Sequence, residues 1–314
     1  MCGIIAAAST RNVGKMLVQG LHKMEYRGYD SAGIALHQEN SIAHLRAIGK
    51  VQLVADMMIS EKPKSRLGIA HTRWATHGEP SEVNAHPHKS KDKVYIVHNG
   101  IIENYIELKE ALVKDGYEFS SQTDSELIAH LLDSYLEKGN SMIDAMYLAK
   151  EKLEGAYAIA AIDMDNNNSL VVARNKSPLL LGIGTDEMLA ASDPLAIGQL
   201  TNEFVFLEDG DVAEISAESY KIFNENKKEV EREISNIDIS SQATSKGVYK
   251  HFMEKEIYEQ PEAILNTLDG RVGGDDILDN IFGLGSCELF AKAKRIQIVA
   301  CGTSLHAGRV AANW

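Results

Sequence analysis

Cysteine is scarce in this chain. Its 314 residues hold three, Cys2, Cys287 and Cys301, too few and too scattered for a disulfide framework or a zinc site. A reducing cytoplasm suits them best. Positive charge is in the minority: 32 Lys and Arg stand against 45 Asp and Glu, a net charge of −13, which argues against nucleic acid or an anionic membrane as partner. No apolar run approaches the ~20 residues that span a bilayer. Residues 1–15 lack a signal-peptide core and contain Arg11 and Lys15, so no secretory leader is expected. Internal repeats and low-complexity stretches are absent too. What remains, 44% hydrophobic and 25% charged residues, is the composition of an ordinary globular protein, long enough for one large domain and part of another.

Residues 1–240 read as one domain of antiparallel strands and amphipathic helices. Val13, Leu17, Leu21 and Met24 share a helical face. Further helices are predicted around Tyr105–Leu112, Leu127–Tyr135 and Met142–Leu153. Strands are predicted at Gly33–His37, Leu67–His71, Val94–His98, Tyr157–Ile162, Leu170–Ala173, Leu179–Ile183, Phe204–Leu207 and Val212–Ile215. Glu208–Asp211 reads as a hairpin turn in which Gly210 supplies a positive φ. Because the strands follow one another or are separated by helical pairs, antiparallel sheets covered by helices are expected rather than a doubly wound fold. The polar stretch 224–247 reads as the domain's end and a linker. A helix over His251–Leu268, a strand over Ile296–Cys301, a Gly302-Thr303-Ser304 turn and a helix from Leu305 follow. They look like the first half of one crossover of a truncated α/β segment within 241–314.

Cys2 directly follows the initiator methionine. Removal of Met1 would leave a thiol and a free α-amine on one residue, with ordinary pKa values of ~8.5 and ~8. That is an N-terminal nucleophile paired with its own proton acceptor. Alone, Cys2 reads rather as a small hydrophobe, but four clusters downstream reverse that. Tyr26–Gly33 is a Gly-rich turn; a left-handed helix cap explains Gly28 but not Arg27 and Asp30 beside it. His71–Gly78 sets Arg73, a fork for a carboxylate, among Trp74, Thr76 and His77. Asn99 and Gly100 suit a two-donor oxyanion hole or an Asn-Gly turn. Thr123-Asp124-Ser125-Glu126 suits a helix N-cap or a grip on an ammonium. His86-Pro87-His88 reads as loop or substrate contact rather than metal ligands. Gly302-Thr303-Ser304 offers amides and hydroxyls to a phosphate without the Walker lysine.

Together these stretches resemble the class II glutamine amidotransferases. Tyr26–Gly33, His71–Pro80, Asn84–His88, His98–Asn104, Lys255–Pro261 and Cys301–Ser304 are most similar to the branch that delivers ammonia to fructose 6-phosphate. The resemblance implies the four-layer αββα sandwich of N-terminal-nucleophile hydrolases (class α+β), followed by the start of a sugar-isomerase half. It implies hydrolysis of L-glutamine by Cys2, with Asn99 and Gly100 as oxyanion hole and Arg27 and Gly28 orienting the N-terminus. Arg73, Thr76 and His77 would hold the α-carboxylate, Asp124 the α-ammonium, and Trp74 would lie in a closing loop. Thr303 and Ser304 would contact the sugar phosphate. It implies no cofactor or metal, a homodimer at full length, and no activity while Met1 is attached. An amidotransferase with another acceptor and a non-catalytic glutamine-sensing module are the alternatives.

Overall fold

The computed structural model describes residues 2–237, 248–268, 272–273, 276–277 and 286–313. Backbone contacts divide the chain into two compact units, Met1–Ser245 and Lys246–Trp314.

In chain order the first unit contains β1 (Gly3–Ser9), α1 (Gly14–Lys23), β2 (Ser31–His37), β3 (Ile42–Ile48), α2 (Val51–Glu61), β4 (Leu67–Arg73), β5 (His88–Ser90), β6 (Val94–Ile102), α3 (Tyr105–Lys114), α4 (Glu126–Leu136), α5 (Met142–Lys150), β7 (Gly155–Asp163), β8 (Asn166–Asn175), β9 (Leu180–Gly184), β10 (Glu187–Ala191), β11 (Glu203–Phe206), β12 (Val212–Ser216), β13 (Tyr220–Phe223), β14 (Glu229–Val230) and β15 (Ile234–Asn236). They form two antiparallel sheets. One has the order β15-β11-β9-β10-β1-β4-β2-β3, the other β14-β13-β12-β8-β7-β6-β5.

Side-chain alternation along the strands builds the layers. Ile4, Ala6 and Ala8 of β1 join Ile69, Val97, Ala160, Val172 and Ala213 in a core between the sheets. Ile5 and Ala7 point the other way, onto Leu17, Leu21 and Met24 of the α1 region and Val51 and Val54 of α2. On the far side Ile96, Ile159 and Val171 pack against Leu127, Ile128 and Leu132 of α4 and Ala145 and Met146 of α5. Helices, sheet, sheet and helices are thus stacked in four layers, as expected. Burying each of these large aliphatic side chains contributes about 1.5–3 kcal/mol.

Several local expectations are corrected. Glu208–Asp211 is a turn, with Asp211 N donating to Glu208 O (3.1 Å) and Gly210 at φ +91°, but it joins no hairpin. β11 belongs to one sheet and β12 to the other, so the turn carries the chain across the sandwich. Part of the polar stretch 224–247 is strand: β14 and β15 take edge places in the two sheets, where one face is solvated and few apolar side chains are needed. β6 runs four residues past His98, because Asn99–Ile102 continue to pair with Gly155–Ala158; the Asn99-Gly100 pair is therefore inside a strand and makes no turn.

In the second unit, α6 (Phe252–Leu268), α7 (Ser286–Lys292) and α8 (Gly302–Asn313) are helical. Residues 296–301 form no strand; no described residue pairs with them, and an extended segment without a hydrogen-bonded neighbour is no β-strand. The Gly302-Thr303-Ser304 turn is instead the first turn of α8. No described helix is long and apolar enough to cross a membrane.

Candidate functional site

Strand register gathers the first part of the site. Gly3 pairs with Thr72 and Ser31 with Arg73, so Cys2, the turn before β2 and the loop after β4 emerge at one end of the first sheet. Cys2 Sγ accepts from Trp74 N at 3.2 Å and lies 3.6 Å from Trp74 O. The Trp74 ring covers Gly28: a Cβ there would stand 2.6 Å from Trp74 Cζ3. Gly28 has φ +73° and ψ 143° and ends a 3-10 turn over Glu25–Arg27. It is not the left-handed helix cap anticipated, and both its torsions and the indole require glycine.

Arg27 donates through Nη1 to Cys2 O (3.5 Å) and through Nη2 to Asp193 Oδ2 (2.6 Å). The Tyr26 hydroxyl donates to the same carboxylate oxygen at 2.6 Å, while Asp193 Oδ1 accepts from Leu195 N. Next door, Ser192 Oγ accepts from Ile4 N at 2.9 Å. The segment bearing the nucleophile is therefore held from a second direction by residues about 190 positions away.

Arg73 is nearly sealed from solvent. It donates to the carbonyls of His77, Gly78 (3.2 Å) and Glu79 (3.5 Å) and stands 3.8 Å from Asp30. Asp30 accepts from Ala75 N and from Ser31 Oγ. Arg73 and Asp30 thus shape the loop that carries Trp74, Thr76 and His77. The Thr76 side chain is exposed; His77 lies half-buried, with Nδ1 3.4 Å from Thr76 Oγ1 and its ring edge-on to Tyr105.

The second sheet supplies the opposite wall. Asn99 Nδ2 donates to Cys2 O at 3.4 Å, and Asn99 Oδ1 lies 2.9 Å from His71 Nε2. Gly100 has φ +132°, and a Cβ there would meet Ala156 O at 1.9 Å, so only glycine lets β6 lie this close to β7. Asp124 is no helix cap. The N-cap position of α4 is Ser125, with no capping side-chain bond; Asp124 Oδ2 instead accepts from Ile102 N at 2.8 Å and pins the end of β6. Thr123 Oγ1 lies 3.0 Å from His88 Nε2. Asn84 ties the two walls' loops together, donating to Glu79 O and accepting from Gln122 N (both 2.9 Å).

Cys2, Arg27, Gly28, Trp74, Asn99 and Gly100 thus converge; Arg73, Thr76, His77 and Asp124 ring the same end of the sandwich. Thr303 and Ser304 sit in the other unit, solvent-facing in the first turn of α8.

Burial pushes the Cys2 thiol above its ordinary value, opposed by the Trp74 N–H and the charge of Arg73. The resting group is accordingly a thiol that needs a base. Burial also lowers His71 to about 3 and His98 below the usual range, so both are neutral near pH 7. His86 and His88 belong to the same interior: the His86 ring lies 4.1 Å from that of His71, tilted by 33°, and His88 meets His86 edge-on at 4.5 Å. Among the described residues no group of His, Cys, Asp or Glu is arranged to hold a metal ion.

Residues 71–199 match the family model described as a glutamine amidotransferase domain. The chain carries a glutamine amidotransferase domain. Over its whole length the chain is 47% identical to the glutamine–fructose-6-phosphate aminotransferase (isomerizing) of Vibrio parahaemolyticus and 49% identical to that of Haemophilus ducreyi, covering 52% of each. It spans about half the length of the curated relatives it matches. Among solved structures, the glutamine phosphoribosylpyrophosphate amidotransferase from B. subtilis, complexed with ADP and GMP, superposes with a TM-score of 0.62 at 24% identity over 71% of this chain and 49% of that one. The amidotransferase domain shares that enzyme's fold.

Sequence pattern alone gives no role to Asp193, Asp30, Asn84 or His71, although Asp30, Asn84 and His71 lie within the stretches Tyr26–Gly33, Asn84–His88 and His71–Pro80. Asp193 had only a weak signal, an Asp preceding Pro194.

Proposed function

We propose that the chain, once Met1 is removed, hydrolyses L-glutamine to glutamate and ammonia through Cys2. The α-amine of Cys2 takes the thiol proton as Sγ attacks the side-chain amide carbon. The carbonyl oxygen becomes an oxyanion, held by Asn99 Nδ2 and Gly100 N. As the C–N bond breaks, the ammonium of Cys2 returns a proton to the leaving nitrogen, and a thioester joins the glutamyl group to Sγ. Water, deprotonated by the same amine, attacks the thioester through a second oxyanion; the C–S bond breaks, the thiol regains a proton and glutamate leaves. Arg73 and the loop it braces, with Thr76 and His77, hold the α-carboxylate. Asp124 takes the α-ammonium through the oxygen not used by Ile102. Arg27 and Gly28 orient the N-terminus, and Trp74 covers it.

The observation that carries this reading is the convergence of Cys2 from the first sheet and the Asn99 amide from the second, within 3.4 Å of the Cys2 backbone. The raised thiol pKa supports it further, since a base is needed and the α-amine is on the same residue. Glutamate release from the Met1-free protein is the test: it should proceed with the unaltered chain and be undetectable with Cys2→Ala. Full activity in Cys2→Ala would remove the nucleophile.

The names of the relatives extend the proposal. In a protein of the relatives' full length, a homodimer of the reducing cytoplasm, ammonia would pass to fructose 6-phosphate, with the hydroxyls of Thr303 and Ser304 on the phosphate. Incubated with glutamine and fructose 6-phosphate, the 314-residue chain should yield glutamate and ammonia but no amino sugar; formation of the amino sugar would contradict the assignment of transfer to the rest of that protein.

A further inference from the structure

His71 takes no part in the scheme above, yet it touches one of its main groups. It stands on β4, fully buried, with Nε2 2.9 Å from Asn99 Oδ1. An amide carbonyl oxygen only accepts hydrogen bonds, so the ring hydrogen is on Nε2. Nδ1 is buried and makes no hydrogen bond; it is the bare nitrogen of that tautomer. The ring is confined: it is completely buried, and the His86 ring lies against it with centres 4.1 Å apart.

The terminal torsion of an asparagine is broad and roughly two-fold, so its amide is easily turned over. For Asn99 the two orientations have opposite chemical consequences. With Oδ1 toward His71, the NH2 group faces Cys2 and can donate to an oxyanion. Turned over, Oδ1 would face the developing negative charge and repel it. The Nε2–H of His71 discriminates between them, because it donates to Oδ1 but would meet the NH2 group donor against donor.

We infer that His71 is a positioning residue that locks the Asn99 side-chain amide with its NH2 group toward the reacting carbonyl oxygen. The inference rests on the glutaminase reading of Cys2. It differs from a merely packing role in that its effect is confined to the states that carry an oxyanion. Glutamine binding does not use the Asn99 amide, and its resting bond to Cys2 O is long, 3.4 Å, so thiol reactivity depends on the amide's direction far less than the oxyanion does.

The test compares His71→Leu with His71→Gln, whose amide nitrogen reaches about as far as Nε2, and with His71→Asn, whose amide is too short. Four quantities are measured on Met1-free protein: kcat, KM for glutamine, the rate of Cys2 alkylation by iodoacetamide, and inhibition by glutamate γ-semialdehyde. The aldehyde adds Sγ to form a hemithioacetal that uses the oxyanion site, whereas alkylation displaces iodide and forms no oxyanion. His71→Leu and His71→Asn should lower kcat about tenfold to a hundredfold, short of the ~10²–10³ expected for loss of a whole donor. Aldehyde inhibition should weaken in parallel, while KM and alkylation stay within about twofold. His71→Gln should recover most of kcat. In an Asn99→Ala background, His71→Leu should cost nothing further.

Unchanged kcat in His71→Asn, failure of His71→Gln to exceed His71→Asn, or a full extra loss in the Asn99→Ala background would overturn the inference. So would an equal fall in alkylation. If His71→Leu does not fold, the Gln and Asn variants decide the question alone. No glutaminase activity in the unaltered Met1-free chain would sink the Cys2 reading and this inference with it; an active chain indifferent to His71 would sink the inference only.

Discussion

The two walls of the site are built differently. On the first sheet the nucleophile's surroundings are open: Trp74 is 53% exposed, Cys2 half-buried, and Arg27 holds the N-terminal segment through long polar bonds. On the second sheet Asn99 is 9% exposed, and the His71 that meets it from β4 of the first sheet is completely buried, in an interior shared with His86, His88 and His98. The contrast follows the chemistry. The wall that must admit substrate and carry a freed N-terminus is held by a few side-chain bonds at the rim. The wall that must present a fixed dipole to a transient charge is set in a packed core, where reorienting a group is costly.

Breaking the buried wall should have the larger catalytic effect. Asn99→Ala should reduce kcat by ~10²–10³, about 3–4 kcal/mol of transition-state stabilisation, with a smaller change in KM; steady-state glutamate release reads both. An equal rise in KM would mean that Asn99 binds substrate rather than oxyanion.

The open wall depends on Asp193. In Asp193→Asn the charge opposite Arg27 is gone, and a neutral amide replaces a charge-assisted bond roughly twice as strong. We expect about a tenfold loss of kcat/KM with the fold intact by circular dichroism. Added salt should weaken the unaltered protein little, because the pair is mostly sheltered.

Stability, rather than rate, tests the comparison through pH. His71, His86 and His98 are held neutral by burial, with pKa values below the ordinary histidine value near 6.5. Below pH 6.5 the unfolded chain binds protons that the folded one refuses, so stability falls as pH falls, by up to about 1.4 kcal/mol per pH unit for each such histidine. Urea midpoints measured from pH 7 to 5 should drop, and His98→Asn should flatten the slope. A midpoint that rises on acidification would contradict neutral burial.

Much of the candidate site was legible because it is local. Arg27-Gly28, Asn99-Gly100 and the loop after Arg73 place unusual residues side by side, and glycine marks the positions where backbone or indole comes close. The layer order was legible from alternation in strands such as β6 and β7. What was not legible depends on distant neighbours. Asp193 reaches Arg27 only because β10 pairs with β1. Asp124 looks like a helix cap until the end of β6 is laid against it. The turn at Glu208–Asp211 carries the same local signal whether its strands pair or part, and β14 and β15 are too short and polar to show a period. Residues 296–301 have the composition of a strand but no described neighbour to pair with.

The central claim is that Cys2 acts with its own freed α-amine. Intact-mass measurement can sort the purified protein into Met1-free and Met1-bearing fractions, and each can be assayed for glutamate release from glutamine. Turnover is expected of the Met1-free fraction and none of the Met1-bearing one. Equal turnover by both would contradict that claim.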